Sequence, residues 1–229
     1  MTEQPELHID ASWKGVVKWG GVSLFASAIC LVIFILSVFV LQQKLPLPAK
    51  EVLEDPVAPT NLFLLAALGE LLLMPGGLAL YFSLKDIRKT NVFIAAGLWL
   101  TAVPMFLASR GLILSLSPLS GKYLGAADET MKAAYLASAE LAIETQNIYA
   151  MMGLMLLCVA SIIIGLVMLK GIFGKRFGYL VIAAGALTLF SPFGVIMQIP
   201  IVIPFIGLAL TAVWQLIGGA KLYRLGRDA

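Results

Sequence analysis

Long apolar runs separated by short charged segments are the main pattern in this chain of 229 residues. An α-helix needs about 20 mostly apolar residues to cross a bilayer, because every backbone N–H and C=O must be paired there. Runs of this length are residues 19–43, residues 61–84, a run starting at residue 91, and residues 145–169. Residues 177–220 carry no charge and are long enough for two spans joined by a turn near 198–204. The pattern therefore predicts an all-α, polytopic bundle of six transmembrane helices.

The placement of basic residues predicts the orientation of this bundle, because cytoplasmic loops are enriched in Lys and Arg. With six spans and both termini in the cytoplasm, eleven of the sixteen Lys and Arg residues fall on the inner side. These are Lys14, Lys18, Lys85, Arg88, Lys89, Lys170, Lys175, Arg176, Lys221, Arg224 and Arg227. We expect a multi-pass protein of the cell membrane, with cytoplasmic tails at 1–18 and 222–229 around a transmembrane domain at 19–221.

Two connections on the predicted outer side differ in composition. Residues 44–60 contain four prolines among charged residues, which favours an extended loop exposed to water. The second connection is residues 118–144, and its alanine-rich part from residue 126 contains no proline or glycine. Because Asp128 and Glu129 suit the start of a helix, we expect an extramembrane helix that leads into the fourth span.

Composition narrows the class of function. Hydrophobic residues make up 60% of the chain and charged residues 13%, which excludes an ordinary soluble domain. The net charge of +3, without a run of like charges, gives no reason to expect nucleic acid. The one histidine, His8, lies in the N-terminal tail, and no HExxH, CxxC, GxSxG or P-loop pattern is present. We expect no metal and no cofactor, and an enzyme is the less favoured class.

Glu70, inside the predicted second span, is the main candidate for a functional residue. An ionisable group at this depth costs on the order of 3 kcal/mol, so it normally faces other helices and has a partner. Pro75, Gly76 and Gly77 follow, and we expect them to kink the helix and free backbone carbonyls near the carboxylate. The functional interpretation is a proton, cation or substrate site, and the structural one is a buried acid that is paired for packing.

Helix geometry suggests Arg110 as the partner of Glu70. At ~1.5 Å per residue, Glu70 lies roughly 13 Å below the start of its span, and Arg110 lies roughly 11 Å below the end of the third span if that helix runs to Ser117. The two side chains would then be level and form an ion pair. If the third span ends at Arg110, the arginine instead reaches the headgroups. Glu70 would then need another partner: Gln215, Asn147 or a proton.

A faint internal repeat relates the two halves of the chain. At an offset of 117 residues, residues 66–77 align with residues 183–194, with five of twelve positions identical. The second copy has its own helix-break candidates, Pro192 and Gly194. Two halves of three helices have opposite orientations, so breaks at corresponding positions are typical of a 3+3 inverted-repeat transporter. The alternative interpretation is that proline and glycine are simply common in membrane spans.

Four segments together resemble a known family. They are Leu-Ala-Leu-Tyr-Phe-Ser-Leu at 78–84, the alanine-rich segment at 133–141, Gly-Tyr-Leu at 178–180 leading to Ser191 and Pro192, and 214–221 with Leu-Ile-Gly-Gly-Ala-Lys. Their order resembles a six-helix prokaryotic membrane family catalogued as a domain of unknown function, number forty-three eighty-six. The resemblance covers nearly the whole chain and implies a fold class, but no reaction and no ligand.

Two hypotheses on function follow. The first is a non-enzymatic integral membrane protein that binds a small or lipidic ligand, or a protein partner, within the helix bundle. The alternative is a secondary transporter or a proton or ion pathway that uses Glu70. The expected partners are the lipid bilayer and a small-molecule or lipid ligand, with no nucleic acid, and a homo-oligomer is left open.

Overall fold

Helices form the regular secondary structure of the residues that the computed structural model describes, which are 11–40, 48–171, 173–191 and 202–228. The four longest are α1 (Lys14–Val40), α5 (Lys89–Leu114), α7 (Glu129–Met168) and α9 (Val202–Asp228). The others are α2 (Ala49–Glu54), α3 (Val57–Leu71), α4 (Leu73–Leu84), α6 (Leu116–Gly125) and α8 (Lys175–Leu189), and a 3-10 turn, Ala11–Trp13, precedes α1. The all-α prediction is confirmed.

Five helical segments are long and apolar enough to cross a membrane: Lys14–Val38, Val57–Leu84, Lys89–Gly125, Glu129–Met168 and Val202–Asp228. They correspond to the first four predicted spans and the last one, although residues 41–43 of the first span lie outside the described residues. The predicted fifth span begins in α8, which has 15 residues, and continues into residues 192–201, which lie outside the described residues. Most of the predicted turn at 198–204 lies there as well. The chain is a membrane protein by these helices, and the count of six stays a prediction.

The bundle is organised around α1 and α5. Helix α1 packs against α9, α4 and α3, whereas α5 packs against α7, α3 and α4, and α8 lies against both α7 and α9. Glycine permits a close approach between α1 and α9. A Cβ atom on Gly219 would lie 2.7 Å from the carbonyl oxygen of Gly21, which is too short for a real contact. Two tryptophans, Trp99 and Trp214, are fully buried in the core with their rings edge to face at 5.8 Å.

One end of the bundle carries a second hydrophobic core, and we name it the cap end. Helices α2 and α6 and the first part of α7 meet there around a cluster that comprises Ala49, Val52, Leu53, Phe63, Ile113, Leu116, Ala139 and Ile143. The buried hydroxyl of Ser120 donates a hydrogen bond to the carbonyl oxygen of Leu53 at 2.6 Å, which joins α6 to α2. The cap end therefore has a packed core of its own beyond the main bundle.

The prediction of an extended loop over residues 44–60 is wrong for the part that the structure describes. Residues 49–54 form α2, and α3 begins at Val57. Pro48 and Pro56 occupy the positions just before α2 and α3. A helix start does not need their missing N–H groups, so these prolines precede helices rather than exclude them. Val52 and Leu53 stabilise α2 because they are buried in the cap core.

The alanine-rich connection forms a helix, as predicted. Helix α7 runs without interruption from Glu129 into the predicted fourth span. It begins at Asp128, whose carboxylate accepts a hydrogen bond from the backbone N–H of Thr130 at 3.1 Å. This is the usual way in which an aspartate satisfies a free N–H group at a helix start.

The other end of the bundle, the turn end, holds the connections α4–α5 and α7–α8 together with the start of α1 and the end of α9. Trp13 stacks on Phe82 with ring centroids 3.8 Å apart, and Gly226 lies against the backbone of Lys18. The eleven basic residues predicted for the inner side therefore lie at one end of the bundle. Which side of the membrane this end faces stays a prediction.

Candidate functional site

Arg110 on α5 and Glu70 on α3 form an ion pair within the bundle. The Nε atom of Arg110 donates to both carboxylate oxygens of Glu70, at 3.0 and 3.1 Å, and Nη2 donates to Oε1 at 2.5 Å. Only 12% of the Arg110 side chain and 14% of the Glu70 side chain are exposed. The contact exists because α5 continues past Arg110 to Leu114. Of the two alternatives for the third span, this is the one in which the helix does not end at Arg110.

The guanidinium group of Arg110 also contacts an aromatic ring. The guanidinium carbon of Arg110 lies 5.1 Å from the ring centroid of Phe63, and Phe63 is buried in the cap core. Phe63 in turn meets the ring of Phe34 on α1 edge to face at 6.2 Å. A guanidinium over an aromatic face is attracted by the negative face of the ring. The ion pair is therefore fixed between α3, α5 and the cap core.

The helix that carries Glu70 is interrupted one residue later. Helix α3 ends at Leu71 and α4 begins at Leu73. Pro75 explains the position of the break, because its ring excludes the carbonyl of Leu71 and it has no N–H to donate. The interruption lies at Leu72, two residues after the buried carboxylate, whereas Pro75, Gly76 and Gly77, around which the break was predicted, lie inside α4.

Side chains from two other helices donate hydrogen bonds to backbone carbonyl oxygens at this break. The hydroxyl of Ser23 on α1 donates to the carbonyl oxygen of Leu72 at 2.9 Å, and the indole Nε1 of Trp99 on α5 donates to that of Leu73 at 2.9 Å. Gly77 allows the indole to approach, since a Cβ atom there would lie 2.6 Å from Trp99 Cδ1. The break therefore connects α4 to α1 and α5.

A groove at the turn end is the other candidate site. It lies between the start of α8 and α9, has a volume of about 440 Å³, and is open to the surface. It is lined by Phe173, Gly174, Lys175, Arg176, Phe177, Leu180, Ile217 and Lys221. We name it the turn-end groove. Three of its eight lining residues are cations and none is an acid, so its charge is not balanced by the described residues that line it.

The comparison with known proteins concerns the whole bundle. The family described as "Domain of unknown function (DUF4386)" matches residues 21–219. The chain belongs to this family. The match confirms the resemblance predicted from the four sequence segments, and it includes both the ion pair and most of the turn-end groove. No curated protein and no solved structure matches the chain.

In this DUF4386 protein, a further buried polar contact lies next to Arg110. The amide Nε2 of Gln146 on α7 donates to the hydroxyl of Ser109 at 3.0 Å, and both side chains are buried. Asn147, which was predicted as an alternative partner for Glu70, is exposed instead. Gln146 lies at helical spacing from Ala139 and Ile143, and the three buried residues share one face of α7.

Gln215, the other predicted alternative, is buried on α9, and its Oε1 atom has no hydrogen-bond partner among the described residues. The same holds for Trp214 Nε1 and Thr188 Oγ1. The structure pairs Glu70 with Arg110 and not with Gln215. The predicted break residues Pro192 and Gly194 lie outside the described residues, and with them the second copy of the repeat. Within the described ranges, no three His, Cys, Asp or Glu side chains come close enough to hold a metal ion.

Proposed function

We propose that this DUF4386 protein is a non-enzymatic integral membrane protein that binds a small or lipidic ligand, and that the turn-end groove is its binding site. The observation that carries the proposal is the unbalanced charge of this groove, where Lys175, Arg176 and Lys221 line an open volume without an acidic neighbour in the lining. Cations held together in this way repel one another, so an anionic group that enters the groove is stabilised.

The geometry of Glu70 favours ligand binding over the alternative of a proton or ion pathway. A carrier residue must exchange its proton or ion with water during transport. Glu70 instead accepts three hydrogen bonds from Arg110, and the arginine is held by Phe63 on its other side. Separating a buried pair of this kind leaves an uncompensated charge, at a cost of roughly 3–5 kcal/mol. We therefore assign the pair a structural role.

Native mass spectrometry of the full-length protein, extracted in a mild detergent, tests this proposal. We expect a bound molecule that stays with the protein and that is reduced in K221Q, with K122Q at the exposed cap-end position as the matched control. A protein that carries no adduct under any extraction condition would contradict ligand binding.

Proteoliposomes test the transport alternative separately. We expect E70Q to leave the proton flux across the vesicle membrane at the level of the wild-type protein. A wild-type proton flux above that of empty vesicles, abolished in E70Q while the protein stays folded, would favour the pathway instead.

A further inference from the structure

We infer that the turn-end groove binds the phosphate headgroup of an anionic phospholipid, with the acyl chains running along the adjoining apolar surface of α8 and α9. The inference rests on the proposed function, which assigns ligand binding to this groove, and it adds the chemical class of the ligand.

The charge of the groove selects an anion. Lys175 and Arg176 are exposed, and no ion pair among the described residues involves either of them. Lys221 is partly buried and is the third cation of the groove lining, on the facing helix α9. Basic pockets between membrane helices bind phospholipid headgroups, and each nearby cation contributes to the attraction.

Lys221 is held in a position that leaves donors for a ligand. Its Nζ atom donates to the carbonyl oxygen of Phe173 at 2.9 Å and lies 4.8 Å from the ring centroid of Phe177. The rings of Phe173 and Phe177 stack with centroids 5.8 Å apart and form one wall of the groove. An ammonium group carries three N–H donors, so the one that bonds Phe173 leaves two for phosphate oxygens.

The backbone adds donors at the same place. Helix α8 starts at Lys175, and the residue before it, Gly174, has φ 83° and provides no side-chain cap. A positive φ suits glycine, which here lets the chain turn directly into the helix. The first N–H groups of α8 thus adjoin the groove, and the partial positive charge of a helix start attracts phosphate.

The apolar half of the lining points to a lipid rather than to free phosphate. Leu180 follows Arg176 by one helical turn on α8, and Ile217 precedes Lys221 by one turn on α9. Both residues therefore lie deeper along the membrane-spanning direction than the cations, and 41% of Ile217 is exposed. Cations at the mouth with apolar residues beneath them match a phosphate that is followed by acyl chains.

The position of the groove agrees with this ligand. It lies at the turn end, where all eleven of the basic residues predicted for the inner side are found. A headgroup site needs this location, because phosphates lie at the ends of the spans and not at their centre. The attached acyl chains keep such a ligand at high local concentration beside the groove.

A binding comparison in nanodiscs of stated composition tests the inference. The full-length protein is exchanged into nanodiscs that contain phosphatidylglycerol or phosphatidylcholine, and the lipid retained after extraction is measured by native mass spectrometry. We expect phosphatidylglycerol to be retained over phosphatidylcholine, and K175Q/R176Q to bind it roughly 30-fold more weakly. These two residues are exposed and form no ion pair with the residues that the structure describes, so the variant is expected to fold. Its melting temperature checks this.

The matched control is R88Q/K89Q, which removes two exposed basic residues at the same end but outside the groove lining. An equal loss of binding in the control would mean general surface attraction and would overturn the inference. Displacement of the lipid by millimolar inorganic phosphate would identify free phosphate as the ligand and would also overturn it. Retention of a neutral lipid alone would overturn the inference but leave the proposed function standing, whereas no retained molecule would contradict both.

Discussion

Arg110 at the cap end and Lys221 at the turn end are both partly buried cations beside an aromatic ring, but they differ in what balances their charge. Arg110 lies over Phe63 and is neutralised by the carboxylate of Glu70. Lys221 lies over Phe177 and bonds the carbonyl oxygen of Phe173, with no acid in the groove lining. The first arrangement is complete within the chain. The second leaves N–H donors of Lys221 and its positive charge without an acidic partner in the groove lining. We therefore assign a structural role to the pair of Glu70 and Arg110, and ligand binding to the turn-end groove.

The largest effect is expected from breaking the cap-end pair. R110A leaves the Glu70 carboxylate buried without a partner, which costs roughly 3–5 kcal/mol of folding free energy. The measurement is thermal or denaturant unfolding of the protein in detergent. R88A, at an exposed turn-end position, is the control and should behave like the wild-type protein. A loss below about 1 kcal/mol in R110A would mean that the pair is worth no more than an exposed one.

The double mutant sharpens this assignment. Because E70A/R110A removes both charges, we expect it to be more stable than the sum of the two single losses predicts, with a coupling of about 1–3 kcal/mol. The same unfolding measurement on all four proteins gives the coupling. Strictly additive losses would show that the contact between Glu70 and Arg110 contributes nothing of its own.

A smaller effect is expected at the break next to Glu70. W99F keeps an aromatic ring in the core but removes the indole hydrogen bond to the carbonyl of Leu73 and leaves a small void, at a combined cost of about 1–3 kcal/mol. Its matched control is F93W on the same helix, where the ring is exposed and no bond is altered. Equal stability of W99F and the wild-type protein would mean that the indole hydrogen bond contributes nothing measurable to stability.

The smallest effect on stability is expected at the turn end. K221Q removes a cation over an aromatic ring and one hydrogen bond, which together are worth about 1 kcal/mol at a partly exposed site. Binding of anionic lipid should nevertheless fall. A change in melting temperature as large as that of R110A would contradict the contrast between the two ends.

Several features of this chain could be predicted from single segments. The need of Glu70 for a partner followed from the cost of an unpaired acid in a membrane, and helix rise made Arg110 one candidate on the condition that the third span continued past it. The break before Pro75 followed from the missing N–H. The helix over residues 49–54 could not be predicted in this way, because its stability comes from burial of Val52 and Leu53 against α6 and α7.

The turn-end groove shows the same limit for the candidate site. Lys175 and Arg176 are separated from Lys221 by more than forty positions in the chain. Their charges indicated only the predicted inner side. That they line one groove depends on α8 packing against α9. Gln146 was missed for a related reason, since its polar side chain is buried only because α7 packs along α5 beside Ser109.

By itself the sequence determined that this protein enters a membrane as helices, that its basic residues collect at one end, and that an acid inside a span needs a partner. Each of these depends on local hydrophobicity and on the cost of unpaired polar groups, which a short segment already carries. Only the tertiary structure decided which partner completes each polar group and which charges stay uncompensated. That outcome depends on the distances between helices that are far apart in the chain, and these distances are set when side chains pack.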